Sequence, residues 1–229
     1  MKKLILALSL LISMQSFAQF GTKNFIDQNY IEVTGTAEIE LVPDMIYIKV
    51  LLREQDLKGR STVTETEKKM MAQLKAIGID VSKNVTIKDF SGQLRSKTFS
   101  KDVALNKEYI ILVNDGKTAA KVFTELDKIQ ITNISIDRLD NSKMEEARRN
   151  VKINAIKIAK AKADGLAEAI GQKAGRAIHI AEYQYGYLPV QSNTISAAGY
   201  LEKDEETFDN LNFENLKVKS TISCKFELK

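Results

Sequence analysis

An α+β fold is predicted for this chain of 229 residues on three observations. Apolar and polar residues alternate over "IEVTGTAEIEL" and again after "VPD", the period of half-buried strands. The middle of the chain reads strand, strand, helix, strand, the order found in a split βαβ unit. From Ser142 a helix is predicted that is far longer than the usual roughly 11–12 residues, and from Ala155 to Ala167 alanines recur in it at every fourth position.

The elements follow in order. "MKKLILALSLLISMQSFAQF" has a lysine pair, an apolar run from Leu4 to Met14 and the small-x-small pattern Ser16-Phe17-Ala18, so it reads as an export signal cleaved after Ala18. The run is shorter than the roughly 20 residues a membrane span needs. Gln19 rather than a cysteine follows the cut, which argues against a lipid-modified terminus, and residues 19–29 are a linker. Ile31, Val33, Gly35, Ala37, Ile39 and Leu41 form one face of the first strand, with Glu32, Thr34, Thr36, Glu38 and Glu40 on the other. Val42-Pro43-Asp44 is a turn, and Ile46, Ile48, Val50 and Leu52 continue the pattern in a second strand.

A helix is expected over Lys58–Ile77, with Val63, Met70, Leu74 and Ile77 near one face and Gly78 as its stop. Strands at about Val85–Leu94 and Val103–Val113 come next, joined by the polar "RSKTFSK". A short helix over Lys117–Lys128 leads to a strand, "IQITNISIDRL", whose apolar set is Ile129, Ile131, Ile134 and Ile136. Ser142 with Glu145 makes a capping box for the long helix, and Gly171 or Gly175 ends it, giving about 29 residues. Its alanines Ala155, Ala159, Ala163 and Ala167 form a smooth ridge flanked by Val151, Ile158, Leu166 and Ile170. A strand "GRAIHIAEYQY", a loop from Gly186 to Asn212 and a last strand Leu216–Leu228 complete the chain.

Charge and composition exclude several functions. The formal charge of +4 falls to +2 once Lys2 and Lys3 leave with the signal, too mild a balance to indicate a polyanion partner. The lysine-rich long helix has three readings: a packing helix with a solvated face, a membrane-surface binder, or a nucleic-acid binder. Its lysines are interleaved with Glu145, Glu146, Asp164 and Glu168, and no aromatic residue is present for stacking, so the packing reading is preferred and nucleic acid is not expected. Under that reading Lys157 and Lys160 are replaceable. Cys224 is the single cysteine, which rules out a disulfide within the chain. It lies on the face of the last strand shared by Val218, Ile222, Phe226 and Leu228, where a buried small hydrophobe is expected rather than a reactive thiol.

His179, the single histidine, has no second histidine at metal-ligand spacing and reads as a structural or surface residue. Phosphate-loop and dinucleotide glycine patterns are absent. The adjacent acids Glu145-Glu146 and Glu205-Glu206 read as solvated. No catalytic, cofactor-binding or metal-binding residue is assigned. Tyr183, Tyr185, Tyr187 and Tyr200 cluster around the long loop, beside the acids Asp204 to Glu206. That loop reads either as an interface, because tyrosine offers apolar area with a polar tip, or as a segment packed back on the sheet.

Three stretches carry a resemblance to the SIMPL domain family, bacterial envelope proteins once classed by a domain of unknown function. "IEVTGTAEIELVPDMIYIKV" is similar to the family's opening strand, Pro-Asp turn and second strand. "EARRNVKINAIKIAKAKADGLAEAIGQKAG" resembles its long alanine-rich helix, and "VKSTISCKFELK" its closing strand. The central "FSGQLRSKTFSKDVALNKEYIILV" departs from the family's aromatic-rich stretch. The resemblance implies two interleaved lobes: an outer one of about residues 30–57 plus 141–229, and a central one of about 58–140. It also implies a periplasmic or envelope location, a tie to oxidative-stress defence, and homo-oligomers, with no established activity or cofactor. The expected function is therefore that of an exported, non-enzymatic protein acting through self-association or envelope-protein contacts. The alternative is an enzyme whose site is assembled between subunits.

Overall fold

The structure, a computed structural model, describes residues 28–57, 61–97, 100–183 and 213–229. The export signal, nearly all of the linker and the Gly186–Asn212 loop lie outside the described residues. The strands are β1 (Tyr30–Leu41), β2 (Met45–Arg53), β3 (Val85–Lys97), β4 (Ser100–Val113), β5 (Ile134–Asp140), β6 (Ala174–Tyr183) and β7 (Leu216–Leu228). The helices are α1 (Val63–Ala76), α2 (Val81–Asn84), α3 (Gly116–Lys128) and α4 (Met144–Ala169). The α+β class is as the sequence predicts. The described residues fall into two compact units, one taking in residues up to Gly35, Ile156–Glu182 and Ile222–Lys229, the other Thr36–Ala155 and the described ends of Tyr183–Thr221.

In the larger unit the sheet order is β3-β4-β2-β5, with every neighbouring pair antiparallel. β4 and β5 are therefore parallel with β2 between them, and β2 and β3 are parallel with β4 between them. Two split βαβ units result, interleaved as in ferredoxin-like folds. The expected split βαβ unit, β4-α3-β5, is present, and a second, β2-α1-β3, is interleaved with it. The lobes that the family resemblance implies differ from this sheet at β2. The strands either side of Val42-Pro43-Asp44 enter different sheets, and β2 sits inside the central sheet rather than in an outer lobe with β1. Its side chains account for the difference. Ile46, Ile48 and Val50 are fully buried and Leu52 nearly so, against Met70 and Leu74 of α1, Val122 and Leu126 of α3, and Tyr109 and Ile111 of β4.

Local chemistry sets the helix ends. Thr62 and Glu65 form a capping box at α1, so that helix starts at Val63 and not at Lys58. Asp115 caps α3 by accepting from the Thr118 amide at 2.7 Å. Three helices stop the same way. The amide two residues past the cap bonds back to the last turn: Ile79 to Leu74 O, Ile131 to Leu126 O, and Gln172 to Ala167 O. The residue before each of those amides is left-handed, at Gly78 (φ 88°), Gln130 (φ 63°) and Gly171 (φ 73°). Gly78 and Gly171 are the stops the sequence suggests.

The stop at Gln130 corrects another expectation. Ile129 and Ile131 belong to the exit of α3, and β5 begins only at Ile134. Ile131 is buried there as the apolar residue that accompanies such a stop, so its spacing imitates a strand. The polar "RSKTFSK" is likewise mostly strand, because β3 and β4 pair as far as Lys97 opposite Ser100, with Arg95 in register with Asp102. The β4 residues Ser100–Ala104 pair with β3 alone, past the end of β2.

The second sheet has the order β1-β7-β6. In the smaller unit Ala159, Ala163 and Ala167 of α4 are fully buried, along with Cys224 of β7, while Ile222 and Phe226 are nearly so. Lys160 of α4 lies 5.6 Å above the Phe226 ring, which sets the helix against β7. In the larger unit Met144, Ala147 and Val151 of α4 cluster with Leu216 and Val218. The alanine ridge is thus a packing surface along its whole length, and α4 runs 26 residues, slightly under the expected length.

Candidate functional site

The residues singled out in the sequence are dispersed. Cys224 is free and fully buried, and burial pushes its thiol above the ordinary range, as the strand pattern suggests. His179 is exposed on β6. Tyr183 is the last residue of β6, and Tyr185, Tyr187, Tyr200, Glu205 and Glu206 are outside the described residues. Glu145 pairs with Arg148 one turn along α4 instead of reaching back to cap the helix. Among the described residues no group of three or more His, Cys, Asp or Glu side chains is placed to hold a metal ion. No described helix is long and apolar enough to cross a membrane.

Two polar arrangements that sequence reasoning missed lie in the larger unit. The first is a clasp around Asp44. Its carboxylate accepts from the Ser142 amide at 2.7 Å and from the Ser142 hydroxyl at 2.5 Å. Asn141 donates to Val42 O at 2.7 Å, and Asn114 donates to Asp44 O at 3.1 Å. The Ser142 bonds hold the Asp44 carboxyl below its ordinary range. Ser142 is not the cap of a capping box: α4 begins at Met144, which puts Lys143 at the cap position, while Ser142 bonds to Asp44 and Glu145 pairs with Arg148.

The second arrangement is Glu67 of α1 with Lys107 of β4, a partly buried ion pair beside Tyr109. Burial raises the Glu67 carboxyl, but the Lys107 ammonium outweighs it and leaves the group below its ordinary range. The Tyr109 hydroxyl is buried, and the Glu67 carboxylate is the group that acts on it. Burial first, and then hydrogen bonding to Glu67 and its negative charge, push it well above the usual tyrosine value. An open cavity of about 320 Å³ is lined by Asp56, Leu57, Ser61, Asp127, Ile129, Gln130 and Thr132. The ion pair and the Asp44 clasp do not line it.

The surface that stands out is apolar and belongs to the smaller unit. Ile158, Leu166 and Ile170 flank the alanine ridge, yet they are exposed by 45%, 50% and 65%. The fourth residue of the spacing, Lys162, is exposed as well, so a stripe along one side of α4 faces outward. On β6, Ile180 is 52% exposed, and Ala177, on the other face of the strand, is also open. The sequence identifies the apolar flank but not its exposure, because helical spacing tells which residues share a side and not whether a partner covers it. Such patches are where contact surfaces are found.

The comparisons with known proteins come down to one family. A search of curated proteins returns no match. The model of SIMPL, described as a protein of unknown function (DUF541), matches residues 31–226. That interval runs from the second residue of β1 to Phe226 near the end of β7, so both sheets and all four helices lie inside it. The chain belongs to the SIMPL family.

Proposed function

We propose that this SIMPL protein is exported to the envelope and acts there without catalysis, through self-association or contacts with other proteins, in defence against oxidative or envelope stress. The exposed stripe of Ile158 and Leu166 on α4 and Ile170 just past its end carries the reading. Three large apolar side chains on one side of a helix lose favourable burial if left in water, roughly 1.5–3 kcal/mol for each when fully covered. The polar groups support it. The carboxylates Asp44, Asp80 and Asp115 are held below their ordinary range by hydrogen bonds within the chain, from Ser142, from Ser82 and Lys83, and from Thr118 respectively, which is structural work. The lysine pair, apolar run and Ser16-Phe17-Ala18 of the first residues support export.

Sedimentation velocity of residues 19–229 over a wide concentration range tests the contact role. The parent is expected to form higher-mass species that diminish in Leu166→Lys and Ile170→Lys, with thermal unfolding unchanged. A parent that stays monomeric and draws no envelope protein in cross-linking of intact cells would overturn it. Intact mass of the chain recovered from the periplasm tests export, with a start at Gln19 as the expected result. Peroxide survival of cells lacking the chain, compared with complemented cells, tests the stress role.

A further inference from the structure

β6 ends the three-stranded sheet, and among the described residues no strand pairs with its outer edge. Lys173, just before β6, and Lys229 exchange both backbone bonds, at 2.7 and 2.9 Å, which fixes an antiparallel pairing with β7. In such a ladder alternate residues aim their amide and carbonyl groups at opposite neighbours. Odd-numbered residues of β6 therefore face β7 and even-numbered ones face outward. The outward carbonyl of Ala174 is taken by Lys160 Nζ at 3.2 Å, consistent with that parity. Arg176, Ile178, Ile180 and Glu182 follow with their backbone groups directed at the open edge.

The segment reads Arg176-Ala177-Ile178-His179-Ile180-Ala181-Glu182, which is self-complementary about its centre. Placed antiparallel to itself on a two-fold axis at His179, it sets Arg176 opposite Glu182 of the second copy at both ends. Ile178 then lies opposite Ile180, and Ala177 opposite Ala181. The parity agrees, since the pairs 176–182 and 178–180 join outward-facing groups to outward-facing groups. An axis passing between two residues would set outward groups against inward ones. Edge strands that must stay single carry charges along their length. β6 has none between Arg176 and Glu182, whereas β1, at the other edge, carries Glu32, Glu38 and Glu40 and no lysine or arginine. Arg176 already lies 3.8 Å from Glu227 of its own chain, but it is 75% exposed and its five N–H donors can serve a second carboxylate.

We infer that β6 pairs with β6 of a second copy of this chain about a two-fold axis at His179, joining two three-stranded sheets into one of six strands. The inference rests on the self-association reading and adds to the α4 stripe a second contact, the β6 edge, with a stated symmetry. Charge reversal tests it by sedimentation equilibrium. Arg176→Glu or Glu182→Arg alone sets like charges opposite each other at both ends, and each should weaken the dimer about tenfold or more. The double swap should restore it to within about threefold, and the two single variants mixed should prefer each other over themselves.

A second test needs no charge. His179→Cys faces its own copy at a non-hydrogen-bonded position, about 4.5 Å between Cα atoms, within disulfide reach. Under mild oxidation it should give a covalent dimer, while Ile180→Cys, opposite Ile178, should not, and buried Cys224 stays silent. Equal linking by the two cysteine variants, or single reversals without effect on an associating parent, would overturn the strand pairing and leave self-association standing. A parent that is monomeric throughout would sink both.

Discussion

Asp44 lies in the connection between β1 and β2, and its carboxylate is spent on Ser142, 98 positions further along the chain. A carboxyl whose folded value is depressed below the unfolded one contributes stability above the unfolded value and loses it as pH falls through the folded one. The stability difference between the parent and Asp44→Asn should therefore be full at neutral pH and shrink below about pH 4, where an unfolded aspartate begins to protonate. Urea midpoints of the two proteins at pH 7 and pH 3 check this, and a constant difference would exclude the charged form as the cause. Gln130 offers a second measurement at this scale. It holds a left-handed conformation that Gly78 and Gly171 adopt without strain at the equivalent stops. Gly171→Ala should cost about 1–2 kcal/mol, since no atom crowds the added methyl and the backbone angle is the whole penalty. Gln130→Gly should gain up to about 1 kcal/mol by chemical denaturation. The glycine stops were legible because composition marks them. The Gln130 stop and the Asp44 clasp were not, since a glutamine carries no such mark and Ser142 reads equally well as half of a local capping box.

α4 shows how far periodicity reaches at the level of an element. The four-residue spacing of Ala155, Ala159, Ala163 and Ala167 is enough to identify a close-packed side, and all four are fully buried. Ala159→Leu or Ala163→Leu should accordingly cost about 1–3 kcal/mol by overpacking. The lysines divide, contrary to the expectation that they are equivalent. Lys157 is exposed and Lys157→Gln should stay within about 0.5 kcal/mol of the parent. Lys160 is half-buried, bonded to Asp164 and to Ala174 O, and lies over Phe226. Lys160→Gln should cost about 0.5–1.5 kcal/mol, and thermal melts of the two variants side by side will rank them. A helix wheel puts both lysines off the ridge. It cannot show that the strand after Gly171 returns its first carbonyl to one of them.

The two sheets of the whole molecule set a hierarchy of protection that ordinary strand patterns only half reveal. Strand alternation identified β1, β2, β4 and β7 but could not assign them to sheets, because alternation reports one buried face and says nothing of which neighbours lie alongside. β2 is flanked by β4 and β5, and its face toward α1 and α3 is fully covered, so its amides open only when the larger unit does. β6 has β7 on one side and, among the described residues, no strand on the other. Residue-resolved amide exchange should thus find Ile48 and Val50 among the slowest positions, with Tyr109 and Ile111 of β4. On β6 in dilute protein, Ala177, His179 and Ala181 should be protected by β7 while Ile178 and Ile180 exchange quickly. Raising the concentration should slow Ile178 and Ile180 and leave Ile48 unchanged, since pairing of β6 with a second copy covers the outward amides and touches nothing in the central sheet. Slow exchange at Ile178 and Ile180 independent of concentration would show that the outer edge of β6 is covered within the single chain.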